Sequence, residues 1–152
     1  DELEALNLYI EIERKRLANS FDYALRIDSE IDIKSIKIPP LSLQPFVENA
    51  IWHGFLHKND QGKLTISVSS ADSLVTIAIR DNGVGREHSK KIERNRRRNR
   101  SYGILITKER FDQTLDKNKR KVSVNIEDIY KSDGSAGGTE VTISIPISKS
   151  KR

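Results

Sequence analysis

Leu41 to Gly54 reads LSLQPFVENAIWHG, and the rest of the chain makes sense as company for this one helix. At about 100° per residue, Leu43, Phe46, Val47, Ala50 and Ile51 fall on one side, which can face a core. Glu48, Asn49, Trp52 and His53 fall on the other. Asn49 and His53 are four apart, so they stack one turn above the other, where both can reach one ligand. A carboxylate, an amide, an indole and an imidazole on one face differ from the Lys/Glu mixture of a solvated helix. Surface or capping residues give the same pattern at any one position, and the helix alone leaves both readings open. Pro39-Pro40 disfavours helix ahead of it, Ser42 is the expected N-cap, Pro45 suits the first turn and Gly54 the end.

The 152 residues fit one domain with a real core. The absence of Cys excludes a disulfide framework and thiolate metal sites, and suits a reducing, cytoplasmic setting. There is no Met, even at position 1, so the chain reads as a segment of something longer. No apolar run approaches the roughly 20 residues that span a bilayer, and no signal peptide is evident, so a membrane part is expected outside this segment. The net charge of +5 is uneven: Arg86 to Arg100 holds eight Lys/Arg against Glu87 and Glu93. Such a run is a solvated loop or an anion-binding one, and it lacks the interleaved aromatics of a nucleic-acid surface.

Leu3, Leu6, Ile10 and Leu17 have helical spacing, which predicts a charged helix over 1–19 that docks on the domain or on a preceding part. Phe21, Tyr23, Leu25 and Ile27 alternate as in a half-buried strand, and 28–37 is a short strand or an extended link. Leu64, Ile66, Val68 and then Val75, Ile77, Ile79 alternate about an Ala71-Asp72-Ser73 turn, which predicts a hairpin. The second strand runs into Asp81-Asn82-Gly83-Val84-Gly85. After the basic loop come a helix with Ile104, Phe111 and Leu115 inward, a strand at Val122 to Ile126, a turn-rich loop from Tyr130 to Gly138 and a last strand at Val141 to Ile147. This order predicts a two-layer α/β sandwich: a mixed, mainly antiparallel sheet with helices on one face.

Five of the eight glycines gather at three places: Gly83 with Gly85, Gly103, and Gly137 with Gly138 ahead of Thr139. Each lies at a strand end or helix start, where backbone amides can approach a phosphate-bearing ligand, although turns also need glycine.

In order and spacing, LQPFVENAIWHG resembles the N box, DNGVG the first glycine box, SYGILITKERF the second and GGTEVTISIP the last of the Bergerat-type (GHKL) ATP-binding fold shared by gyrase, Hsp90, histidine kinases and MutL. More narrowly, VENAIWHG and ITKERF resemble the LytS-like sensor histidine kinases, as does the opening DELEALNLYIEIERKR. The resemblance covers nearly the whole chain. It implies 1–20 as the helix leading from a dimerisation and acceptor domain, 21–148 as the ATP-binding catalytic domain and 149–152 as a basic tail. It implies ATP and Mg²⁺ as cofactors, with Asn49 as the metal ligand, Asp81 as acceptor from the adenine amino group, and Gly83 and Gly85 beneath the base. Thr139 would back Asp81 through a water, His53 would lie near the sugar and phosphates, and Ser101, Tyr102 and Gly103 would close the lid.

Two departures bear on the choice of reaction. The water-activating glutamate of the gyrase and Hsp90 branches stands one turn before the asparagine, where this chain has Pro45, which has no group to take a proton. Glu48 is a candidate for orienting an acceptor histidine or a metal-bound water. Trp52 replaces a Lys of many relatives, leaving phosphate neutralisation to lid arginines or Lys58. The expected function is the catalytic domain of a two-component sensor histidine kinase; the alternatives are a GHKL-type ATPase clamp and a nucleic-acid or anion-binding module. None of His53, His57 and His88 lies in the family's acceptor motif. The resemblance further implies a separate acceptor domain, a response regulator of LytTR type, no direct nucleic-acid partner, and a membrane-anchored homodimer in a bacterial inner membrane with this domain in the cytoplasm.

Overall fold

Residues 2–32, 36, 38–86, 101–112 and 121–147 are described by the computed structural model of the chain. The first helix, α1, spans Glu2–Arg16, with acids in its first turn and Arg14, Lys15 and Arg16 in its last, each set facing the helix-dipole end it stabilises. Leu3, Leu6 and Ile10 are buried in the common core, so α1 docks on the domain itself. Leu8 and Ile12 are exposed on its other side. Strand β1, Phe21–Ile27, follows. No strand forms among the described residues of 28–37.

The helix at the centre of the sequence starts as α2, Gln44–Asn49, and continues as a π-helical segment, Ala50–Phe55. Its apolar side is buried as the spacing predicts: Leu43, Phe46, Val47, Ala50 and Ile51 are each at most 2% exposed. Two boundary expectations fail. Ser42 does not cap the helix: Leu43 holds the cap position without a side-chain bond, and the Ser42 hydroxyl is buried with no partner among the described residues. The carboxylate of Glu2 serves instead, accepting from the Leu41 N–H at 2.6 Å and the Leu43 N–H at 2.9 Å. Nor does Gly54 end the helix. It lies inside the π segment, which closes with Leu56 N–H donating to the Ile51 carbonyl, five residues back.

Glu2→Ala therefore removes the acceptor of two backbone N–H groups ahead of α2. The expected cost is about 1 kcal/mol, seen as a fall of about 2–4 °C in the thermal midpoint.

Strands β2, Gly62–Ala71, and β3, Leu74–Asp81, form the expected hairpin. Asp72 and Ser73 make its turn with φ of 49° and 66°, the left-handed pair whose twist matches the strands. Helix α3 is Ser101–Asp112, burying Thr107 and Phe111. Strands β4, Ser123–Tyr130, and β5, Ala136–Pro146, extend further into the Tyr130 to Gly138 stretch than the sequence predicts, leaving a short turn. The basic stretch 87–100, Leu115 and the tail lie outside the described residues.

The sheet order is β1-β2-β3-β5-β4. β1 runs parallel to β2, since the helix between them carries the chain back across the sheet, and all other pairs are antiparallel. Leu64, Ile66, Val68, Val75, Ile77, Ile79, Val141, Ile143 and Ile145 are buried on one face. The alternate residues Thr65, Ser67, Thr76, Thr142 and Ser144 are only half-buried. One apolar face accepts the helices, which makes the predicted two-layer α/β sandwich.

Candidate functional site

Asp81 is the last residue of β3, in register between Leu64 of β2 and Thr139 of β5. It follows Val75, Ile77 and Ile79 at period two, so the alternation that fills the core also delivers a carboxylate to the core's edge. Asp81 is 8% exposed. Burial pushes its carboxyl up to about 6 from an ordinary 3.8, while the backbone N–H groups of Gly83 and Thr139 bond to it and oppose that rise. The Gly83 N–H donates to Oδ1 at 2.8 Å. Thr139 thus meets Asp81 through its own main chain.

Two close backbone approaches surround this carboxylate. A Cβ on Gly83 would overlap the Gly54 Cα and lie 2.8 Å from the Asp81 Oδ1. Val84 N–H donates to the Gly54 carbonyl at 3.2 Å, so the end of the central helix is joined to the glycine loop. Gly138, with φ of 126°, brings its main chain onto the Asp81 carbonyl, where a Cβ would overlap the oxygen. Asn82 fastens the loop to β2: its Oδ1 accepts from Lys63 N–H at 2.7 Å and its own N–H donates to the Lys63 carbonyl.

Asn49, the last residue of α2, and His53, in the π segment, are both half-buried on the helix whose Gly54 abuts Gly83 and the Asp81 carboxylate. Glu48 accepts a bond from Gln44 Nε2 at 2.8 Å, one turn earlier. Lys58 pairs with Asp60 at 3.2 Å. Ser101, Tyr102 and Gly103 form the first turn of α3, and the roles expected of their side chains lie outside the described residues.

Several contacts were not legible in the sequence. Gly54 reads as a helix stop, yet it is half of a glycine-on-glycine contact; that Gly83 also lacks a Cβ is the one signal. Arg86 reads as the start of a solvated run, yet its Nε and Nη2 donate in parallel to the two Asp128 oxygens, both at 2.7 Å. This bidentate pair ties the end of the glycine loop to β4. The pairing of Glu2 with the start of α2 leaves no local trace.

The arrangement suits a planar ligand with a hydrogen-bond donor on its edge: a buried acceptor, a floor of main chain without side chains, and an amide oxygen on the neighbouring helix. Among the described residues no group of three His, Asp or Glu can hold a metal ion. A hard cation held by Asn49 must therefore bring most of its oxygen ligands with the ligand itself, as Mg²⁺ does with phosphates. Among the described residues no helix is long and apolar enough to cross a membrane.

No family model matches the chain. It is 40% identical over 86 residues to the sensor protein LytS of Oceanobacillus iheyensis, covering 57% of this chain and 14% of that one. It is 42% identical over 84 residues to LytS of Bacillus subtilis, covering 55% and 14%. The chain thus spans about a seventh of the length of these curated relatives. Among solved structures, the catalytic domain of the histidine kinase ThkA superposes with a TM-score of 0.59 at 19% identity, over 96% of this chain and 92% of that one. ThkA in complex with the response regulator TrrA gives 0.60 at 17%, over 99% and 41%. The LytS matches and this shared fold, with its acidic strand end and glycine loop beside the asparagine-bearing helix, agree: the chain belongs to the LytS-like sensor histidine kinases and has the fold of their catalytic domain.

Proposed function

We propose that this chain binds ATP with Mg²⁺ and serves as the catalytic unit of a two-component sensor kinase, delivering the γ-phosphoryl group to a histidine on a dimerising helical domain outside these residues. The observation that carries the reading is Asp81: a carboxylate held inside the protein by backbone amides, with main chain packed around it and room made by glycines. An acceptor in that setting selects a ligand carrying an amino group, as adenine does. Gly83 and Gly85 supply the floor, and Thr139 holds the carboxylate from the adjoining strand. Asn49 offers the metal one neutral oxygen, His53 stands one turn on toward the sugar and phosphates, and Ser101, Tyr102 and Gly103 start the helix beyond the lid. The bound metal supplies charge neutralisation at the phosphates; the chain's part is to place the nucleotide and exclude the wrong base.

Pro45 stands where a hydrolase needs its proton acceptor, which favours transfer to a histidine over hydrolysis. Glu48, turned to Gln44, is assigned at most an orienting role. The regulator would be of LytTR type, and the full-length protein a membrane-anchored homodimer with this domain in the cytoplasm.

Calorimetry with ATP and Mg²⁺ tests the binding, and Asn49→Ala is expected to lose the Mg²⁺-dependent part of the affinity while keeping the rest. Incubated with γ-labelled ATP, the chain by itself should gain no stable label, because its own histidines are not acceptors. Stable self-labelling, or binding indifferent to Asn49, contradicts the assignment.

A further inference from the structure

Trp52 follows Asn49 by three residues, one turn along the same helix, and points its contacts toward α1. Its indole N–H donates to the Tyr9 hydroxyl, and the Arg16 guanidinium lies over its ring at 4.6 Å. Arg16 is itself held by Glu13 at 3.3 Å, and Glu13 is buried. At the other end of the helix, the Glu2 carboxylate takes the backbone N–H groups of Leu41 and Leu43. Between these two attachments Leu3, Leu6 and Ile10 share the core with Phe46, Val47 and Ile51. The helix bearing Asn49 is thus gripped by α1 at its start and at its π segment. A π segment is a wider, less regular turn, whose side-chain directions depend on what it packs against.

We infer that Tyr9 and Arg16 are positioning residues for the metal–nucleotide site, holding Trp52 so that Asn49 and His53 keep the direction needed to meet a Mg²⁺-bound phosphate chain. The inference rests on the nucleotide reading above. It gives Trp52 a role toward α1 rather than toward phosphate, in place of the cation that many relatives carry. It also makes α1 a lever: any displacement of this helix along its axis shifts both grips together and reaches Asn49 without touching the Asp81 pocket.

That separation supplies the test. Tyr9→Phe removes one hydroxyl and Arg16→Gln one cation, and neither residue belongs to the nucleotide site. Binding of AMP-PNP to the 152-residue chain is measured by calorimetry with Mg²⁺ and again with EDTA. In each variant the affinity measured with Mg²⁺ should fall about three- to tenfold, the loss expected for one hydrogen bond or exposed cation–π contact, with the EDTA affinity and thermal midpoint little changed. Trp52 is the sole tryptophan, so its emission reports the same cluster and should respond to nucleotide with Mg²⁺ in the wild type and not in Tyr9→Phe. Unchanged Mg²⁺ dependence in both variants overturns the inference, as does an equal loss with and without the metal, which marks a purely structural role. If the wild-type chain binds no nucleotide at all, the reading beneath the inference fails first and the inference with it.

Discussion

Asp81→Asn is expected to weaken ATP binding by about 1 to 3 kcal/mol, five- to 150-fold. One carboxylate oxygen already accepts from Gly83, and Thr139 supplies a second backbone N–H. An asparagine amide has only one accepting oxygen. Its NH₂ must then face either a backbone donor or the adenine amino group, and donor meets donor in both cases. Unaltered affinity by calorimetry removes the adenine assignment.

The same substitution has an opposite signature in the free protein. Because the folded-state value, about 6, lies above the ordinary 3.8, ionising Asp81 costs on the order of 3 kcal/mol more in the folded chain than in the unfolded one. This group's favourable contribution is complete below about pH 4 and is lost as pH rises through 6. Asp81→Asn should therefore gain stability relative to wild type between pH 4 and 7. Nucleotide binding runs the other way, since the acceptor must be ionised: wild-type affinity should drop more steeply than that of the variant below pH 6. Parallel stability curves for the two proteins across that range rule out a buried, titrating carboxylate.

The second large effect is expected at Gly83. Any side chain there meets the Gly54 main chain, so Gly83→Ala must part the central helix from the glycine loop. The expected result is destabilisation by about 1 to 3 kcal/mol together with loss of nucleotide binding. Gly134→Ala is the control. Its φ of 81° also disfavours a side chain, but nothing lies within 4 Å of the added carbon. It should cost about 1 to 2 kcal/mol of stability and leave ATP affinity alone. Equal effects of the two alanines on binding would mean that the Gly54 contact does not shape the site.

Arg86 shows why charge runs are read poorly from sequence. In a stretch of eight basic residues each looks equally solvated, and only the register of β4 against β5 decides that Asp128 meets the first of them.

What the sequence determined by itself were the features written in local periodicity. The 3.6-residue spacing of Leu43, Phe46, Val47, Ala50 and Ile51, the alternation along β2, β3 and β5, and the short hairpin turn all appear where predicted, because neighbours along the chain decide them. Asp81 belongs here too, as the polar residue that closes an inward-facing apolar row. Tertiary structure alone decided the rest. Glu2, not Ser42, satisfies the amides ahead of α2; Gly54 is a contact rather than a stop; and Tyr9 and Arg16 take Trp52. Each of these joins residues about 30 to 45 positions apart. Such pairs form only once the core has brought α1 and the strand ends against the central helix, and no local preference of either partner encodes them.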